Sequence, residues 1–350
     1  MTPARPSLYG HGLIGSGTEV GAGNVRAMAD EHNFVFCATD WAGFATQDLP
    51  IIALTLQDVS IFPSLVDRMQ QGYLNQMFLG RLMIHEQGFS ASPAFRFGGK
   101  PVIDRERLFY DGNSQGGIMG GGLTAVAPDF ERAVLGVTGM NYSTLLRRSS
   151  DFAPYAEGEF VEGLDTPLGF YDSYPDELER PLILSMIQML WDRGEANGYA
   201  HHMTSDPPAN TPPHEVLLHV AFGDHQVSMW TADVLARTIG ASRHAPTTDP
   251  GRHPDTDPYF GIPPIEGVPF DGSALVVWDS GPPRPGDQGV VAPPTTNTPP
   301  GDPEFGRDPH SDPRSDPDAR VQKSEFLRIG GRVVDACDGS PCRTHGWTGP

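Results

Sequence analysis

The chain has 350 residues, which is long enough for one large α/β domain or for such a domain with a cap. Its formal net charge is −20, since 44 acidic residues outnumber 24 basic ones, and this charge repels the phosphates of nucleic acids and of anionic membranes. Nucleic acid is therefore not expected as a partner. No apolar run reaches the roughly 20 residues that cross a bilayer, so no stable membrane span is expected either.

The hydrophobic pattern predicts strands and helices that alternate along the chain. In the first half we expect strands at 7–9, 34–38, 108–111 and 133–138, with helices at 19–31, on both sides of Pro63 within 51–88, and from Gln115 onward. In the second half we expect helices at 176–195, 227–239 and 318–328, strands at 216–222, 274–278 and 332–335, and a surface loop at 281–318. Strands separated by helices imply an α/β fold with a mainly parallel sheet and helices on both faces.

The segment 149–210 differs in character from the rest, because it mixes aromatic and acidic side chains before its helix. A helical segment inserted after the middle strands often caps a pocket. We therefore expect 149–210 to form a cap insertion, between a first part of the core at 1–148 and a second part at 211–350. The aromatic side chains either line the pocket or form the interior of the cap: Phe152, Phe160, Phe170, Tyr171 and Trp191.

A serine flanked by glycines follows the strand predicted at 108–111. Residues Gly112-Asn113-Ser114-Gln115-Gly116 fit G-x-S-x-G, the pattern of a serine on a tight strand-to-helix turn. The turn strains the serine backbone and leaves no room for a side chain at Gly112 or Gly116. Because the strain lifts the hydroxyl out of the sheet, Ser114 is the candidate nucleophile.

A serine nucleophile also needs N–H donors for the oxyanion that develops during attack. The N–H of Gln115 is the first candidate, and the N–H of Leu13, in the loop His11-Gly12-Leu13 after the first strand, is the second. The alternative interpretation of 10–17 is a phosphate-binding glycine loop with Asp40 as the acidic partner. That alternative leaves Ser114 unexplained.

The serine further needs a histidine as base and an acid that orients the histidine. Asp224, directly after the strand at 216–222, is the candidate acid, although an aspartate there could equally cap the next helix. Asp279 is its rival. The chain order Ser, Asp, His leaves His310 and His345 as bases, and we favour His310, which a solvated loop histidine would also explain.

The remaining histidines and the cysteines raise other possibilities. His201-His202 and His214 with His219 suggest a metal site, but no acidic or cysteine partners stand at ligand spacing, so neither a metal nor a cofactor is expected. The spacing of Cys337 and Cys342 allows a disulfide, which would suit a secreted or periplasmic protein. Residues 1–7 lack the basic and apolar regions of a signal peptide.

The loop at 10–13, the turn at 112–116, Asp224 and His310 together resemble the α/β-hydrolase superfamily, and within it the chain is similar to bacterial serine esterases and lipases. The resemblance implies acyl transfer through a serine ester, with a small-molecule or lipid-like carboxylic ester as substrate and water as acceptor. A peptidase, thioesterase or acyltransferase on the same fold, or a binding protein without activity, are the alternatives, and the oligomeric state stays open.

The beginning of the chain departs from that superfamily. Its members usually have two or more strands before the loop that corresponds to 10–13, whereas only nine residues precede Gly10 here. We therefore expect a sheet without the usual N-terminal strands, or a chain that is a fragment or begins at a late start codon.

Overall fold

The computed structural model describes residues 2–158, 169–253, 255–282 and 307–350. The strands are β1 (Arg5–Gly10), β2 (Phe34–Cys37), β3 (Arg96–Phe97), β4 (Lys100–Pro101), β5 (Leu108–Asn113), β6 (Phe130–Gly136), β7 (Glu215–Ala221), β8 (Ser242–Arg243), β9 (Ala274–Asp279) and β10 (Cys342–Arg343). The α-helices are α1 (Gly23–His32), α2 (Leu49–Gln57), α3 (Phe62–Ile84), α4 (Gln115–Val126), α5 (Tyr142–Leu145), α6 (Ala153–Glu157), α7 (Phe170–Ser173), α8 (Glu179–Trp191), α9 (Met229–Ile239), α10 (Asp312–Ser315) and α11 (Pro317–Phe326).

The main sheet is parallel throughout the described residues. Its strands lie in the order β10-β9-β7-β6-β5-β1-β2, and β8 pairs with the beginning of β9. The short strands β3 and β4 form a separate antiparallel pair. The predicted fold class, a mainly parallel α/β sheet, is therefore confirmed.

Helices cover both faces of this sheet, because neighbouring residues of each strand point to opposite sides. On β5, Tyr110 packs into the core formed with α3, α4, α8 and α9, whereas Phe109 packs into the core formed with α1 and α11. On β6, Leu135 and Val134 divide in the same way. The strands thus carry continuous apolar runs, as expected for a sheet that is buried on both faces.

The long apolar segment at 51–88 forms two helices, α2 and α3, as predicted. Pro63 lies in the first turn of α3, where its missing N–H breaks no helical hydrogen bond. α3 packs against β1, and α8 packs against α3 and α5. No helix of the described residues combines the length and the apolarity that crossing a membrane requires.

The segment 149–210 contains α6, α7 and α8. Residues 159–168, and with them Phe160, lie outside the described residues. The division of the chain into 1–148, a cap at 149–210 and 211–350 stays a prediction. Of the loop predicted at 281–318, residues 283–306 lie outside the described residues, and the remainder includes α10.

The strand predicted at 332–335 is wrong. Val333 makes a single antiparallel bridge with Phe270, away from the main sheet, and the carboxylate of Asp335 then accepts the N–H of Cys337 and of Gly339 in a turn. The strand that closes this edge of the sheet is β10, which pairs with the end of β9. The adjacent apolar residues Val333 and Val334 are typical of a strand, but here the chain turns towards the disulfide that joins Cys337 and Cys342.

Candidate active site

The sheet changes its direction of winding between β1 and β5. β2 follows β1 in the chain and lies on one side of it, whereas β5 lies on the other side. In open α/β sheets the carboxyl ends of two such strands leave a crevice in which ligands bind. The loop at 10–13 follows β1 and Ser114 follows β5, so both candidate elements lie at this crevice.

Ser114 occupies a strained turn between β5 and α4. Its φ of 60° and ψ of −125° lie in a region that L-residues rarely adopt, at a cost of about 1–3 kcal/mol. Steric contacts hold the turn in this conformation. A Cβ on Gly116 would lie 2.1 Å from the carbonyl oxygen of Gly10, and a Cβ on Gly112 would lie 2.5 Å from the carbonyl oxygen of Gly116. Glycine at position 116 therefore allows the end of β1, at Gly10, to lie close against the serine turn.

His11 fixes the beginning of the early loop. The N–H of Trp41 donates to His11 Nε2 at 2.7 Å, so Nδ1 carries the proton and donates to the carbonyl oxygen of Gly12 at 2.8 Å. Burial lowers the pKa of this imidazole, which keeps it neutral. His11 is therefore a structural brace of the loop.

Glu19 fixes the next residue of the same loop. Its carboxylate accepts the N–H of Gly12 at 2.9 Å and the hydroxyl of Tyr9 at 2.8 Å. The following N–H, that of Leu13, has no acceptor among the described residues, and Leu13 borders the crevice beside Ser114. The loop thus presents one unpaired N–H at the place where an oxyanion donor is expected.

Gln115, whose N–H is the other candidate oxyanion donor, has its side chain held by a buried network. Tyr142 donates its hydroxyl to Gln115 Oε1 at 2.7 Å. The N–H of Tyr142 in turn donates to Glu195, whose carboxylate also accepts the N–H groups of Asn141 and Asn197. Burial raises the pKa of Glu195, and these donors oppose the rise. The network thus ties the side chain of Gln115, next to the serine, to the segments that carry Tyr142 and Glu195.

The structure brings Asp224 and His310 together. His310 Nδ1 lies 2.8 Å and 2.9 Å from the two carboxylate oxygens of Asp224, and both side chains are buried. Asp224 Oδ1 also accepts the N–H groups of Gln226 and Val227, each at 2.9 Å. Helix α9 begins later, with Ser228 as its N-cap, so Asp224 is not the cap of this helix.

Asp308 joins the chain around His310 to the chain around Asp224. Its Oδ1 accepts the N–H of His310 at 3.0 Å and the N–H of His225 at 3.2 Å, and its Oδ2 accepts Gln226 Nε2 at 2.8 Å. Three groups therefore donate to this one carboxylate, and two of them belong to residues that directly follow Asp224. His310 does not lie in a free surface loop.

The other ring nitrogen of His310 is available for chemistry. His310 Nε2 is buried and has no hydrogen-bond partner among the described residues, and the hydroxyl of Ser114 also makes no hydrogen bond there. Both side chains border the same cleft. The hydrogen bond between a catalytic serine and its histidine often forms fully only when substrate binds. The roles of nucleophile, base and acid for Ser114, His310 and Asp224 stay predictions.

Asp279 and His345, the alternatives to Asp224 and His310, lie elsewhere in the fold. Asp279 forms an ion pair with Arg252 at 2.7 Å and accepts the N–H of Gly281 at 2.8 Å. His345 is exposed and follows β10, at the far edge of the sheet from β1. Neither residue borders the two spaces that adjoin Ser114.

The histidines that suggested a metal site gather no third ligand among the described residues. The rings of His201 and His202 contact each other, with their centroids 4.0 Å apart, and neither belongs to a group of three ligand side chains. His214 lies between the carbonyl oxygens of Met203 and Ala127, and His219 contacts Gln322 in the core, where burial lowers its pKa to about 3. Within the described ranges, the side chains that meet at metal-ligand distance are His244, Cys337 and Cys342, and the two sulfurs already form the disulfide.

Two spaces meet at Ser114. The first, the apolar pocket, measures about 720 Å³ including the part open to solvent, and the second, the polar cleft, lies towards His310. Aliphatic and aromatic side chains from several helices form the wall of the apolar pocket: Ile52, Leu56, Phe62, Leu65, Phe152 and Trp191. The polar cleft is bordered by Glu19, Asp151, His310, Ser311 and Arg314.

Part of this wall was missed by the sequence reasoning, which sought it within 149–210. Phe152 and Trp191 do border the pocket, whereas Phe170 packs against Phe152 and Tyr174 away from it. Four of the six wall residues named above come from α2 and α3: Ile52, Leu56, Phe62 and Leu65. A signal was present, since α2 is apolar over nearly its whole circumference, which indicates a helix covered on all sides or facing a cavity.

Comparisons with known proteins find similar folds among solved structures. No protein-family model and no curated protein sequence matches the chain. Among solved structures it is similar to the acylaminoacyl peptidase of Pyrococcus horikoshii (13% identity, TM-score 0.40), covering 68% of this chain and 30% of that one. It is also similar to acetyl xylan esterase 1 of Thermoanaerobacterium (15% identity, TM-score 0.42), covering 68% of this chain and 66% of that one. A third similar structure is a puromycin-hydrolyzing peptidase of Mycobacterium tuberculosis (12% identity, TM-score 0.39), with 68% of this chain and 28% of that one covered.

The chain thus spans about a third of the length of the two peptidases. At these identities and scores, the likeness carries no argument about activity. The fold instead follows from the structure itself: a parallel sheet covered on both faces, with a serine on the strained turn between its β5 and α4. This is the α/β-hydrolase fold that the sequence resemblance implied.

Proposed function

We propose that the chain is a serine hydrolase that cleaves carboxylic esters through an acyl-enzyme on Ser114. The observation that carries the proposal is the buried pair of Asp224 and His310, whose free Nε2 borders the same cleft as the strained serine. A surface histidine or a helix cap would need neither the pairing nor the strain. The pairing of acid and imidazole is the arrangement that makes a serine hydroxyl nucleophilic.

The reaction has two halves in this proposal. His310 Nε2 takes the proton of Ser114 as its Oγ attacks the ester carbonyl, and the oxyanion accepts hydrogen bonds from the N–H groups of Leu13 and Gln115. The bond to the alcohol then breaks, and His310 returns the proton to the leaving oxygen. A water molecule attacks the acyl-enzyme in the same way and releases the acid and the serine. Asp224 holds the imidazole tautomer and stabilises its charged form.

The apolar pocket indicates the kind of acyl group. Its wall offers aliphatic and aromatic side chains beside Ser114, so an apolar acyl chain gains the free energy of leaving water there. An anionic acyl group would lose its hydration there without a partner. We therefore propose esters of apolar carboxylic acids as the substrates.

The test is hydrolysis of p-nitrophenyl esters with acyl chains of two to twelve carbons. We expect activity in the wild type, and a loss of about a millionfold in kcat for Ser114→Ala, as for other serine nucleophiles. Ser185→Ala is the matched control, since Ser185 is an exposed serine on α8. Equal activity in wild type and Ser114→Ala, or a folded wild type that cleaves none of these esters, would contradict the proposal.

A further inference from the structure

The two spaces at Ser114 receive different parts of an ester. His310 borders the polar cleft and not the apolar pocket. Because the histidine must give its proton to the leaving oxygen, the alcohol part of the ester lies on the side of His310. The alcohol part therefore occupies the polar cleft, and the acyl part occupies the apolar pocket. This assignment rests on the proposed function.

Asp151 stands where the two spaces join, because it borders both. Its backbone is held by neighbours: its N–H donates to Ser149 Oγ at 3.1 Å, and the preceding residue, Ser150, donates its N–H to the carbonyl oxygen of His225 at 2.9 Å. Its carboxylate, in contrast, has no hydrogen bond and no ion pair with the described residues. The other acid of the cleft, Glu19, is already occupied by Gly12 and Tyr9.

The charges around Asp151 are mostly negative. The groups that act on it are the imidazole of His310, the carboxylates of Asp224 and Asp308, and the phenol of Tyr155. Arg314 also borders the cleft, where it donates to the carbonyl oxygen of His310 at 3.3 Å, and it forms no ion pair with Asp151. Burial, together with the two neighbouring carboxylates, raises the pKa of Asp151 to about 6. A half-buried carboxyl in this position lacks a cation.

We propose that Asp151 binds a cationic group in the alcohol part of the substrate. The preferred substrates are then esters of apolar acids with amino alcohols or quaternary ammonium alcohols. The apolar pocket holds the acyl chain, Ser114 attacks the carbonyl, and the ammonium group lies against the carboxylate of Asp151 in the polar cleft.

The test compares two butyrate esters of the same shape, choline butyrate and 3,3-dimethylbutyl butyrate, which differ only in a charged nitrogen and a neutral carbon. At pH 8 we expect the wild type to prefer the choline ester by about tenfold in kcat/KM, which corresponds to about 1.4 kcal/mol. In Asp151→Asn we expect the ratio to fall to about one. The ratio is taken within each variant, so a change in overall rate cancels.

Two further arms sharpen the test. Glu157→Gln, which removes one exposed carboxylate from the nearby helix α6, should keep the wild-type ratio. In the wild type, the ratio should fall towards one as the pH drops below about 6, where Asp151 takes up a proton. An ester with the cation in its acyl part, ethyl 4-(trimethylammonio)butanoate, should be slower than its carbon analogue ethyl 5,5-dimethylhexanoate.

The outcomes separate this inference from the proposed function. A wild type that hydrolyses the neutral ester without preferring the choline ester overturns the inference alone. So does an unchanged ratio in Asp151→Asn, or a preference for the cationic acyl ester. A folded wild type that hydrolyses neither butyrate and whose Ser114 resists a fluorophosphonate overturns the proposed function as well.

Discussion

The serine turn, residues 112–116, and the histidine loop, residues 307–312, are held in place by different forces. Backbone contacts that only glycine permits fix the serine turn against β1. Carboxylates fix the histidine loop. Asp308 accepts hydrogen bonds from His225 and Gln226, directly after Asp224. Asp312 pairs with Arg307 and accepts the hydroxyl of Ser280. Steric contacts do not respond to charge, whereas a polar clamp does. We therefore expect damage to the turn to cost stability, and damage to the loop to cost catalysis in a folded protein.

The largest expected effect comes from Asp224, the acid that pairs with His310 of the histidine loop. Asp224→Asn keeps an oxygen for the N–H groups of Gln226 and Val227 but presents the wrong group to His310. We expect kcat to fall by about a thousandfold or more, because the imidazole loses its orienting partner. The measurement is kcat on p-nitrophenyl butyrate, together with the thermal midpoint.

Asp279→Asn is the matched control for that prediction. It removes a buried carboxylate from the ion pair with Arg252, so we expect a lower thermal midpoint with kcat within about threefold of wild type. A larger loss of kcat in this variant than in Asp224→Asn would show that the rival aspartate is the acid.

The serine turn is expected to fail by loss of stability. In Gly116→Ala the new methyl group would lie 2.1 Å from the Gly10 carbonyl oxygen, so one of the two backbone segments must shift. We expect a loss of about 3 kcal/mol in the free energy of unfolding, at the upper end of typical overpacking, measured by urea denaturation. In Gly23→Ala, at the start of α1, nothing lies within 4 Å of the added methyl group, so stability should be unchanged or slightly higher.

The clamp of the histidine loop should give an intermediate effect on kcat. Asp308→Ala removes the acceptor for His310, His225 and Gln226, and we expect kcat to fall by about 10- to 100-fold with KM within about threefold. Asp308→Asn keeps an oxygen for the two N–H groups and should recover part of the loss. A rise in KM with unchanged kcat would contradict the positioning role, and so would an equal loss in both variants.

How far the sequence predicts the site depends on whether the contacts that hold it are local or distant along the chain. The serine turn is encoded within five residues, because its strain and its close contacts both require glycine at fixed spacing. Asp224 and His310 were proposed from their order in the chain, and the structure brings them within hydrogen-bond distance. The main strands and helices were predicted from their apolar patterns, apart from the strand expected at 332–335.

The features that sequence reasoning missed depend on pairs of residues far apart in the chain. Asp308 binds residues 82 and 83 positions away, and Glu195 binds Asn141 and Tyr142 across more than fifty positions. The carboxylate of Asp151 has no hydrogen-bond or ion-pair partner among the described residues, and its position beside the cleft follows only from the folded structure. Such contacts follow from the packing of the sheet and its helices, which the chain order alone does not determine.

The smallest expected effect concerns the helix behind the histidine loop. His219, on β7, donates from Nε2 to Gln322 of α11 at 2.7 Å, and burial lowers the pKa of this imidazole to about 3. The unfolded chain binds the proton near 6.5 and the folded chain only near 3, so stability is lost as the pH falls from 6.5 towards 3.

This dependence should be visible between pH 7.5 and 5.5. One unit below 6.5, His219 should cost about 1.4 kcal/mol, which His219→Gln, with a donor in the same place, should remove. Urea denaturation of both proteins at the two pH values measures the difference. An identical pH dependence in the two proteins would contradict the buried neutral state of His219.

The most direct test of the account is covalent labelling of the nucleophile. Wild-type protein is treated with a fluorophosphonate, and the site of the adduct is identified by intact mass and peptide mapping. We expect one adduct, on Ser114, no adduct in Ser114→Ala, and slower labelling in Asp224→Asn. A folded wild type that stays unlabelled, or an adduct on another residue, would contradict the claim that Ser114 is an activated nucleophile.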